Sequence, residues 1–164
     1  MNVQRFISLP NIIKPILLLL LILVMIICGA TSTLKPAVGN WFFWLTTIAQ
    51  LIIMSGVVVA FFFEMELVLT CGRDHWPVVE MAYSAVFGVC GIINMFIVAN
   101  WNKIAYSHGP FIVAALFIFG LVILYGLNLI MFFRIWRGFV TSGASQNPSG
   151  NVQPGNTGNM HPGI

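Results

Sequence analysis

The sequence predicts an all-α membrane protein: a four-transmembrane-helix bundle, M-shaped, with both termini in the cytosol. Its 164 residues are 59% hydrophobic and 7% charged, whereas a soluble domain carries about 25% charged residues. Four apolar runs each reach the roughly 20 residues that a helix needs to cross a bilayer. None of these runs alternates apolar and polar residues as a membrane β-barrel strand does, and a backbone in lipid must satisfy its own hydrogen bonds. Helices are therefore the expected spanning elements.

The predicted spans cover about residues 12–34, 41–63, 77–99 and 110–133. Lys14 lies near the start of the first span and Glu80 in the first turn of the third, while the second and fourth spans carry no charge. Residues 1–10 form a short cytosolic N-terminus, residues 11–138 the membrane domain and residues 139–164 a cytosolic tail. The tail is rich in Gly, Asn, Pro and Ser, so we expect it to be disordered. A solvated spacer is favoured there over a C-terminal docking motif.

The orientation follows from the basic residues near the helix ends, which favour the cytosolic side. One face carries five of them: Arg5, Lys14, Arg73, Arg134 and Arg137. The other face carries Lys35 and Lys103. The alternative is a cleaved signal peptide ending near Cys28, Gly29 and Ala30. The apolar run continues to Leu34, which favours a retained first helix.

Several function classes have no support in the sequence. No basic patch with interleaved aromatics indicates a nucleic-acid partner. His75, His108 and His161 lie outside the spans, so no haem or metal cofactor is predicted, and no nucleophile–base pair indicates an enzyme. We expect no ionisable residue at mid-membrane, which argues against a proton-coupled transporter.

Small and polar residues inside the spans are candidates for helix packing, because close approach and polar contacts hold helices together in lipid. The small candidates are Gly56, Ala60, Ser84 and Gly88, with Gly120 and Gly126 in the fourth helix. The polar candidates are Gln50, Asn94 and Asn128. Gln50 and Asn94 lie roughly 13 and 8 Å from the outer face at ~1.5 Å per residue, which predicts a hydrogen bond between them. A homo-oligomer seam and contacts with partners or lipid are the alternatives.

Two further predictions concern residues at the membrane surface. The five tryptophans lie near helix ends, as in an aromatic belt at headgroup depth: Trp41, Trp44, Trp76, Trp101 and Trp136. Cys71 lies in the predicted cytosolic connection between the second and third helices, where S-palmitoylation occurs. An ordinary reduced thiol is the alternative.

The motif Trp76-Pro77-x-x-Glu80 is typical of a helix start at the inner membrane surface. Proline suits a first helical turn because its missing N–H has no partner to lose. An acid in the same turn favours the helix dipole and can reach unpaired backbone donors. The sequence therefore predicts that the third helix starts here at the inner membrane surface, with Glu80 in its first turn.

The same segment carries a family resemblance. WPVVEMAYSAVFGVCGIINMFIV, from Trp76, resembles the third helix of MARVEL-domain proteins, the four-helix group that includes MAL, plasmolipin and the chemokine-like-factor-type proteins. FGLVILYGLNLIMFFRIWRG, from Phe119, is similar to their closing helix. The resemblance covers about residues 12–138. The matching positions are Trp76, Pro77, Glu80, Gly120, Tyr125 and Arg134.

The resemblance implies a non-catalytic role in membrane apposition, vesicle traffic or cargo sorting, often in cholesterol-rich domains. Its implied partners are membrane lipids and other membrane proteins, at the plasma membrane or on endosomal and secretory vesicles. The chain departs from the family's junctional and synaptic-vesicle branches, because its outer loops lack their paired cysteines and long ectodomain. An accessory subunit of one membrane complex is the second hypothesis, and a small transporter or channel is the third.

Overall fold

A computed structural model describes residues 11–63 and 76–141. Within these ranges the chain forms α1 (Ile13–Ala30), α2 (Asn40–Phe62), α3 (Trp76–Trp101) and α4 (Pro110–Thr141), with a short 3-10 turn at Asn102–Ile104. All four helices are long and apolar enough to cross a membrane. The predicted all-helical class with four spans is thus confirmed. The predictions about residues 1–10, Cys71 and the tail from residue 142 fall outside the described residues.

Two helix ends differ from the predicted spans. α1 ends at Ala30 rather than near Leu34, because the residues that follow hydrogen-bond to another connection instead of continuing the helix. α4 continues past Phe133 to Thr141. The apolar run ends at Phe133, but no proline or glycine follows until Gly138. A helix does not need apolar residues to continue, so hydropathy alone places this end too early.

The connections α1–α2 and α3–α4 lie together at one end of the bundle. The Leu34 N–H donates to the Ile104 carbonyl at 2.8 Å, and the Tyr106 N–H donates to the Ser32 carbonyl at 3.2 Å. Thr33 and Ala105 form an isolated antiparallel bridge between them. We call this end the loop end. α1 and α3 consequently begin at the opposite end.

The helices form a ring in chain order. Each helix packs against the next one, α4 closes the ring onto α1, and the α3–α4 interface is the most extensive. Buried positions recur every three or four residues, as expected for one inward face of each helix. On α1 they include Leu17, Leu21 and Val24, and on α4 they include Ile118, Leu121 and Tyr125. The side chains that face the outside of the ring are largely apolar.

An aromatic cluster closes the interior at the loop end. The Trp101 ring lies edge-on to Phe43 at 5.2 Å and to Phe111 at 5.7 Å between centroids. Its indole N–H donates to the Val38 carbonyl at 2.8 Å. Trp101 is only 3% exposed, whereas Trp41 is 72% exposed. The belt prediction is therefore wrong for Trp101, because its polar atom finds a backbone partner inside the protein.

The small residues divide between inward and outward positions. A β-carbon at Gly91 would lie 2.8 Å from Val122 Cγ2, and one at Gly88 would lie 3.8 Å from Tyr125 Cβ. Both positions let α3 approach α4 closely. A β-carbon at Gly56, Gly120 or Gly126 would meet no atom within 4 Å. Gly56 is exposed although Ala60, one turn later, is buried, so the predicted pair does not form one packing seam within this chain.

We predict that Gly91→Ala lowers the free energy of unfolding by about 1–3 kcal/mol, because overpacking displaces a neighbour that cannot move freely. The β-branched Val122 has little rotamer freedom on a helix. Denaturant unfolding of the purified protein in micelles, followed by circular dichroism, measures the change. Gly126→Ala is the matched control and should be neutral or slightly stabilising. Equal effects of the two variants would contradict the close contact at Gly91.

Candidate functional site

Two oppositely charged side chains are fully buried in the bundle at the end opposite the loop end. Lys14 of α1 and Glu80 of α3 form an ion pair with 2.9 Å between Nζ and Oε1, and both side chains are 0% exposed. Moving one charge out of water costs several kcal/mol unless a partner compensates it. Ionisable residues within membrane segments are accordingly rare and mark functional candidates. This pair is the centre of the candidate site.

The second carboxylate oxygen of Glu80 is also bonded. Glu80 Oε2 accepts hydrogen bonds from the Tyr83 hydroxyl and, at 3.3 Å, from Asn128 Nδ2. Asn128 Nδ2 donates as well to Ser84 Oγ at 2.8 Å. Asn128 is 0% and Ser84 1% exposed. We call Lys14, Glu80, Tyr83, Ser84 and Asn128 the buried polar network.

Within the described residues, Lys14 contacts a carboxylate, an amide and an aromatic ring. Besides Glu80, its Nζ donates to Asn11 Oδ1 at 3.3 Å and lies 5.0 Å from the centre of the Phe132 ring. An ammonium over an aromatic face is attracted by the negative face of the ring. The Lys14 charge is thus enclosed by α3 on one side and α4 on the other.

Local sequence explains why α3 presents its polar groups together. Pro77 is buried at the second position of the helix, where a missing N–H removes no helical hydrogen bond. Glu80, Tyr83 and Ser84 then fall three and four residues apart, which places them on one face of a helix. Trp76, the first residue of the helix, is half-buried. The Trp-Pro motif therefore starts a helix whose second turn carries the acid.

The prediction that Glu80 lies in the first turn of the third helix and reaches its unpaired backbone donors is wrong. α3 begins at Trp76, so Glu80 is its fifth residue and lies beyond the first turn. Its carboxylate crosses to Lys14 on another helix instead of bonding to its own backbone. The expectation of no ionisable residue at mid-membrane concerns a different depth from that of Lys14 and Glu80. Both residues lie near the starts of helices, and the bundle turns them inward.

A second polar contact crosses the bundle along the other diagonal. Gln50 Nε2 of α2 donates to the Tyr125 hydroxyl of α4 at 2.5 Å, and both residues are buried. Close backbone contacts join the neighbouring helices of the ring, most of them between α3 and α4 and the fewest between α2 and α3. Lys14–Glu80 joins α1 to α3 and Gln50–Tyr125 joins α2 to α4. Long polar side chains thus reach across both diagonals of the ring.

The predicted Gln50–Asn94 hydrogen bond is replaced by two others. Asn94 Nδ2 of α3 donates to Thr46 Oγ1 of α2 at 2.8 Å, and Gln50 bonds to Tyr125. The predicted link between α2 and α3 exists, but Thr46 supplies it. Thr46 also donates to the Phe42 carbonyl at 2.8 Å, which holds its hydroxyl toward Asn94.

The remaining positions carried over from the family resemblance do not join the buried polar network. Arg134 is exposed beyond it on α4, and Gly120 lies toward the loop end. Tyr125 lies one turn from Asn128, but its hydroxyl accepts the hydrogen bond from Gln50 of α2. Among the described residues, no group of three His, Cys, Asp or Glu side chains is placed to hold a metal ion. The site brings together two opposite charges and three polar side chains, which bond to one another and join α1, α3 and α4.

We predict that Lys14→Met lowers the free energy of unfolding by about 3–5 kcal/mol, because it leaves the buried Glu80 without its charged partner. Glu80→Gln should also destabilise, since it leaves Lys14 unpaired. The double variant Lys14→Met/Glu80→Gln should cost clearly less than the sum of the two single changes. Denaturant unfolding in micelles measures the free energy of unfolding of the wild type, the two single variants and the double variant. Additive losses would contradict a direct interaction.

We predict that Tyr125→Phe lowers the free energy of unfolding by about 0.6–2 kcal/mol, the range for hydrogen bonds between membrane helices. The change removes the acceptor of Gln50 and leaves the ring packing in place. Tyr106→Phe is the matched control, because Tyr106 is 80% exposed. The same unfolding measurement applies. A Tyr125→Phe protein as stable as the Tyr106→Phe protein would show that the second diagonal contributes nothing.

Comparison with known proteins gives no relative for this arrangement: no family model, curated protein or solved structure matches the chain. The resemblance to MARVEL-domain proteins stays a prediction. By the length and composition of its four helices, the chain is a multi-pass membrane protein.

Proposed function

We propose that this protein is a non-catalytic membrane organiser or adaptor in vesicle trafficking, cargo sorting or membrane apposition. It acts through lateral contacts of its helices with other membrane proteins and with lipid. One observation supports this most: the charged pair Lys14–Glu80 is bonded inside the bundle, while the outward faces of the four helices are largely apolar. The MARVEL-like pattern at Trp76, Pro77 and Glu80 points in the same direction.

The outward face of α2 shows what the bundle offers to a partner. A stripe of exposed apolar side chains runs along it and just past its end, at intervals of three and four residues when Gly56 is counted: Trp41, Leu45, Ile48, Ile52, Val59 and Phe63. Gly56 lies within the same stripe. It is exposed, and a β-carbon added there would meet no atom within 4 Å. Small residues on such a face allow a second helix to approach closely. We call this surface the α2 stripe.

The proposed orientation places both termini in the cytosol and the loop end on the opposite side. The basic residues near helix ends support it. Lys14 is bonded to Glu80 and is withdrawn from the membrane surface. Without Lys14, the proposed cytosolic face still has more basic residues than the opposite face: Arg5, Arg73, Arg134 and Arg137, compared with Lys35 and Lys103. The proposed membranes are the plasma membrane and endosomal or secretory vesicles.

The α2 stripe also favours a second candidate function, an accessory subunit that stabilises one membrane complex. An accessory subunit needs one face shaped for a constant partner, and a glycine in the middle of an exposed apolar stripe provides a place for a helix to pack. A second copy of this chain is a further candidate for the same face. The two functions differ in the number of partners that occupy it.

We predict that a proximity-labelling enzyme fused after Ile164, at endogenous expression, labels many coat, sorting and vesicle proteins. One dominant membrane partner would instead favour the accessory subunit. Labelling confined to lumenal proteins would contradict the proposed orientation. The readout is mass spectrometry of the labelled proteins.

We further expect Gly56→Leu to reduce the recovery of membrane partners severalfold while expression is retained, because the side chain fills the centre of the α2 stripe. Gly120→Leu on α4 is the matched control, since Gly120 also has no atom within 4 Å of an added β-carbon. Unchanged recovery with Gly56→Leu would show that partners use another face.

A further inference from the structure

An open cavity lies at the loop end, between the end of α1 and the start of α4. Its volume is about 570 Å³, which is within the range of small-ligand sites in proteins. Six residues line it: Ala30, Thr31, Ser32, Tyr106, Ser107 and Pro110. Four of these six carry a side-chain hydroxyl, in a chain that is 59% hydrophobic. We call this space the loop-end cavity.

The walls of the loop-end cavity are joined by their backbones, which leaves side-chain hydroxyls available. The Tyr106 N–H donates to the Ser32 carbonyl at 3.2 Å. The Thr31 hydroxyl donates to the Ile27 carbonyl at 2.7 Å. Within the described part of the chain, the side-chain hydroxyls of Ser32, Tyr106 and Ser107 have no hydrogen-bond partner. Three hydroxyls can therefore donate to a ligand without breaking a bond of the protein.

The depth of the cavity in a bilayer follows from the length of α1. Its 18 residues span about 27 Å, close to the ~30 Å of a bilayer's hydrocarbon core. α1 ends at Ala30, so Thr31 and Ser32 lie where hydrocarbon gives way to headgroups. α4 starts beside them at Pro110. The loop-end cavity thus lies at the depth of the lipid headgroups.

Apolar side chains continue from the cavity along both helices. Ile26 precedes Ala30 by four residues, and Val113 follows Pro110 by three, so each shares a helix face with a residue that lines the cavity. Ile26 is 60% and Val113 45% exposed. A ligand with its polar end in the cavity can lay an apolar part against these two side chains. A phospholipid has this shape, whereas a soluble phosphate compound has no apolar part.

Two lysines give the loop end a positive charge. Lys35 follows Leu34 and Lys103 precedes Ile104, and the Leu34 N–H donates to the Ile104 carbonyl at 2.8 Å. Both lysines are exposed, and each is three residues along the chain from a residue that lines the cavity. Two like charges repel each other, and an anion bound near both removes that repulsion.

The side-chain carboxylates of the chain are too far away to neutralise these lysines. The chain has four acids: Glu64, Glu66, Asp74 and Glu80. Glu80 is bonded to Lys14 at the opposite end of the bundle. The other three are within four residues of Phe62 or Trp76, a chain reach of at most about 14 Å. α2 and α3, with 23 and 26 residues, separate those helix ends from the loop end by about 34 and 39 Å.

We propose that the loop-end cavity binds the headgroup of an anionic phospholipid. The hydroxyls of Ser32, Tyr106 and Ser107 donate to the phosphate oxygens, since hydrogen bonds to a charged acceptor are the stronger ones. Lys35 and Lys103 favour a headgroup with net negative charge over zwitterionic phosphatidylcholine. The acyl chains lie against the apolar faces of α1 and α4. The inference deepens the proposed function, on which it rests for its membrane setting, by naming a lipid partner and its site.

The test uses the full-length protein purified in a mild detergent. Native mass spectrometry measures the retention of added phosphatidylserine and of phosphatidylcholine with the same acyl chains. Lys35→Gln/Lys103→Gln removes the two charges, and Ser32→Ala/Ser107→Ala removes two of the hydroxyls. Arg134→Gln is the control, because it removes an exposed basic side chain at the opposite end of the bundle. Circular dichroism checks that each variant keeps its helices.

We expect the wild type to retain phosphatidylserine more strongly than phosphatidylcholine. Lys35→Gln/Lys103→Gln should weaken the retention of phosphatidylserine roughly 10- to 30-fold, from the electrostatic contribution of two basic residues near a membrane surface. Ser32→Ala/Ser107→Ala should weaken the retention of both lipids severalfold, because the phosphate is common to them. Arg134→Gln should leave the preference for phosphatidylserine unchanged. Lys35→Arg/Lys103→Arg should keep most of it, since it conserves charge.

Inorganic phosphate and glycerol 3-phosphate distinguish a lipid from a soluble phosphate compound. Both carry the phosphate but have no acyl chain to lay against α1 and α4. Neither should displace phosphatidylserine when it is added at the concentration of the lipid. Displacement by either one would overturn the assignment to a lipid.

Three further results would overturn the proposal: no preference for phosphatidylserine in the wild type, an equal loss with Arg134→Gln and with the lysine variant, or unchanged retention in both loop-end variants. Because the measurement uses purified protein and added lipid, it is independent of the labelling experiment in cells. A trafficking adaptor without this lipid site would pass the cellular test and fail this one. A lipid-binding chain with a different function would do the reverse.

Discussion

The Lys14–Glu80 ion pair is the contact on which the arrangement of the helices depends most. Each of these charges, buried alone, would cost several kcal/mol, so α1 and α3 can occupy their places only together. Tyr83 and Asn128 complete the bonding of the carboxylate, and Phe132 covers the ammonium. One charge pair thereby sets the depth of α1 against α3 and of α4 against both.

The two ends of the bundle are fastened by different means. At one end, ionic and amide groups join three helices inside the protein. At the loop end, backbone hydrogen bonds join the two connections, and Trp101 packs between Phe43 and Phe111. Between the ends, Gly88 and Gly91 let α3 and α4 approach closely. This division suits a membrane protein, because lipid removes the hydrophobic drive between helices and leaves close packing and polar contacts to specify their order.

The internal bonding of the polar groups also shapes the proposed functions. Lys14 and Glu80 satisfy each other, so the bundle presents apolar faces to its surroundings, the α2 stripe among them. Among the described residues, Arg134 and Arg137 are exposed on α4, and Lys35 and Lys103 are exposed on the connections of the loop end. In the proposed function, partner helices pack against the apolar faces that lie between these two ends.

The sequence by itself determined the class and the four helices, because runs of apolar residues in a chain with so few charges leave helices in lipid as the stable solution. It also indicated the start of α3 at Trp76-Pro77 and the importance of Glu80, Tyr125 and Asn128. Only the tertiary structure decided which side chains meet. Depth along a helix can be counted from the sequence, and it placed Gln50 near Asn94, but contact also depends on the rotation of each helix and its place in the ring. The same limit hid the Lys14–Glu80 pair, the inward position of Trp101 and the outward position of Gly56, because these depend on long-range packing that no local pattern encodes.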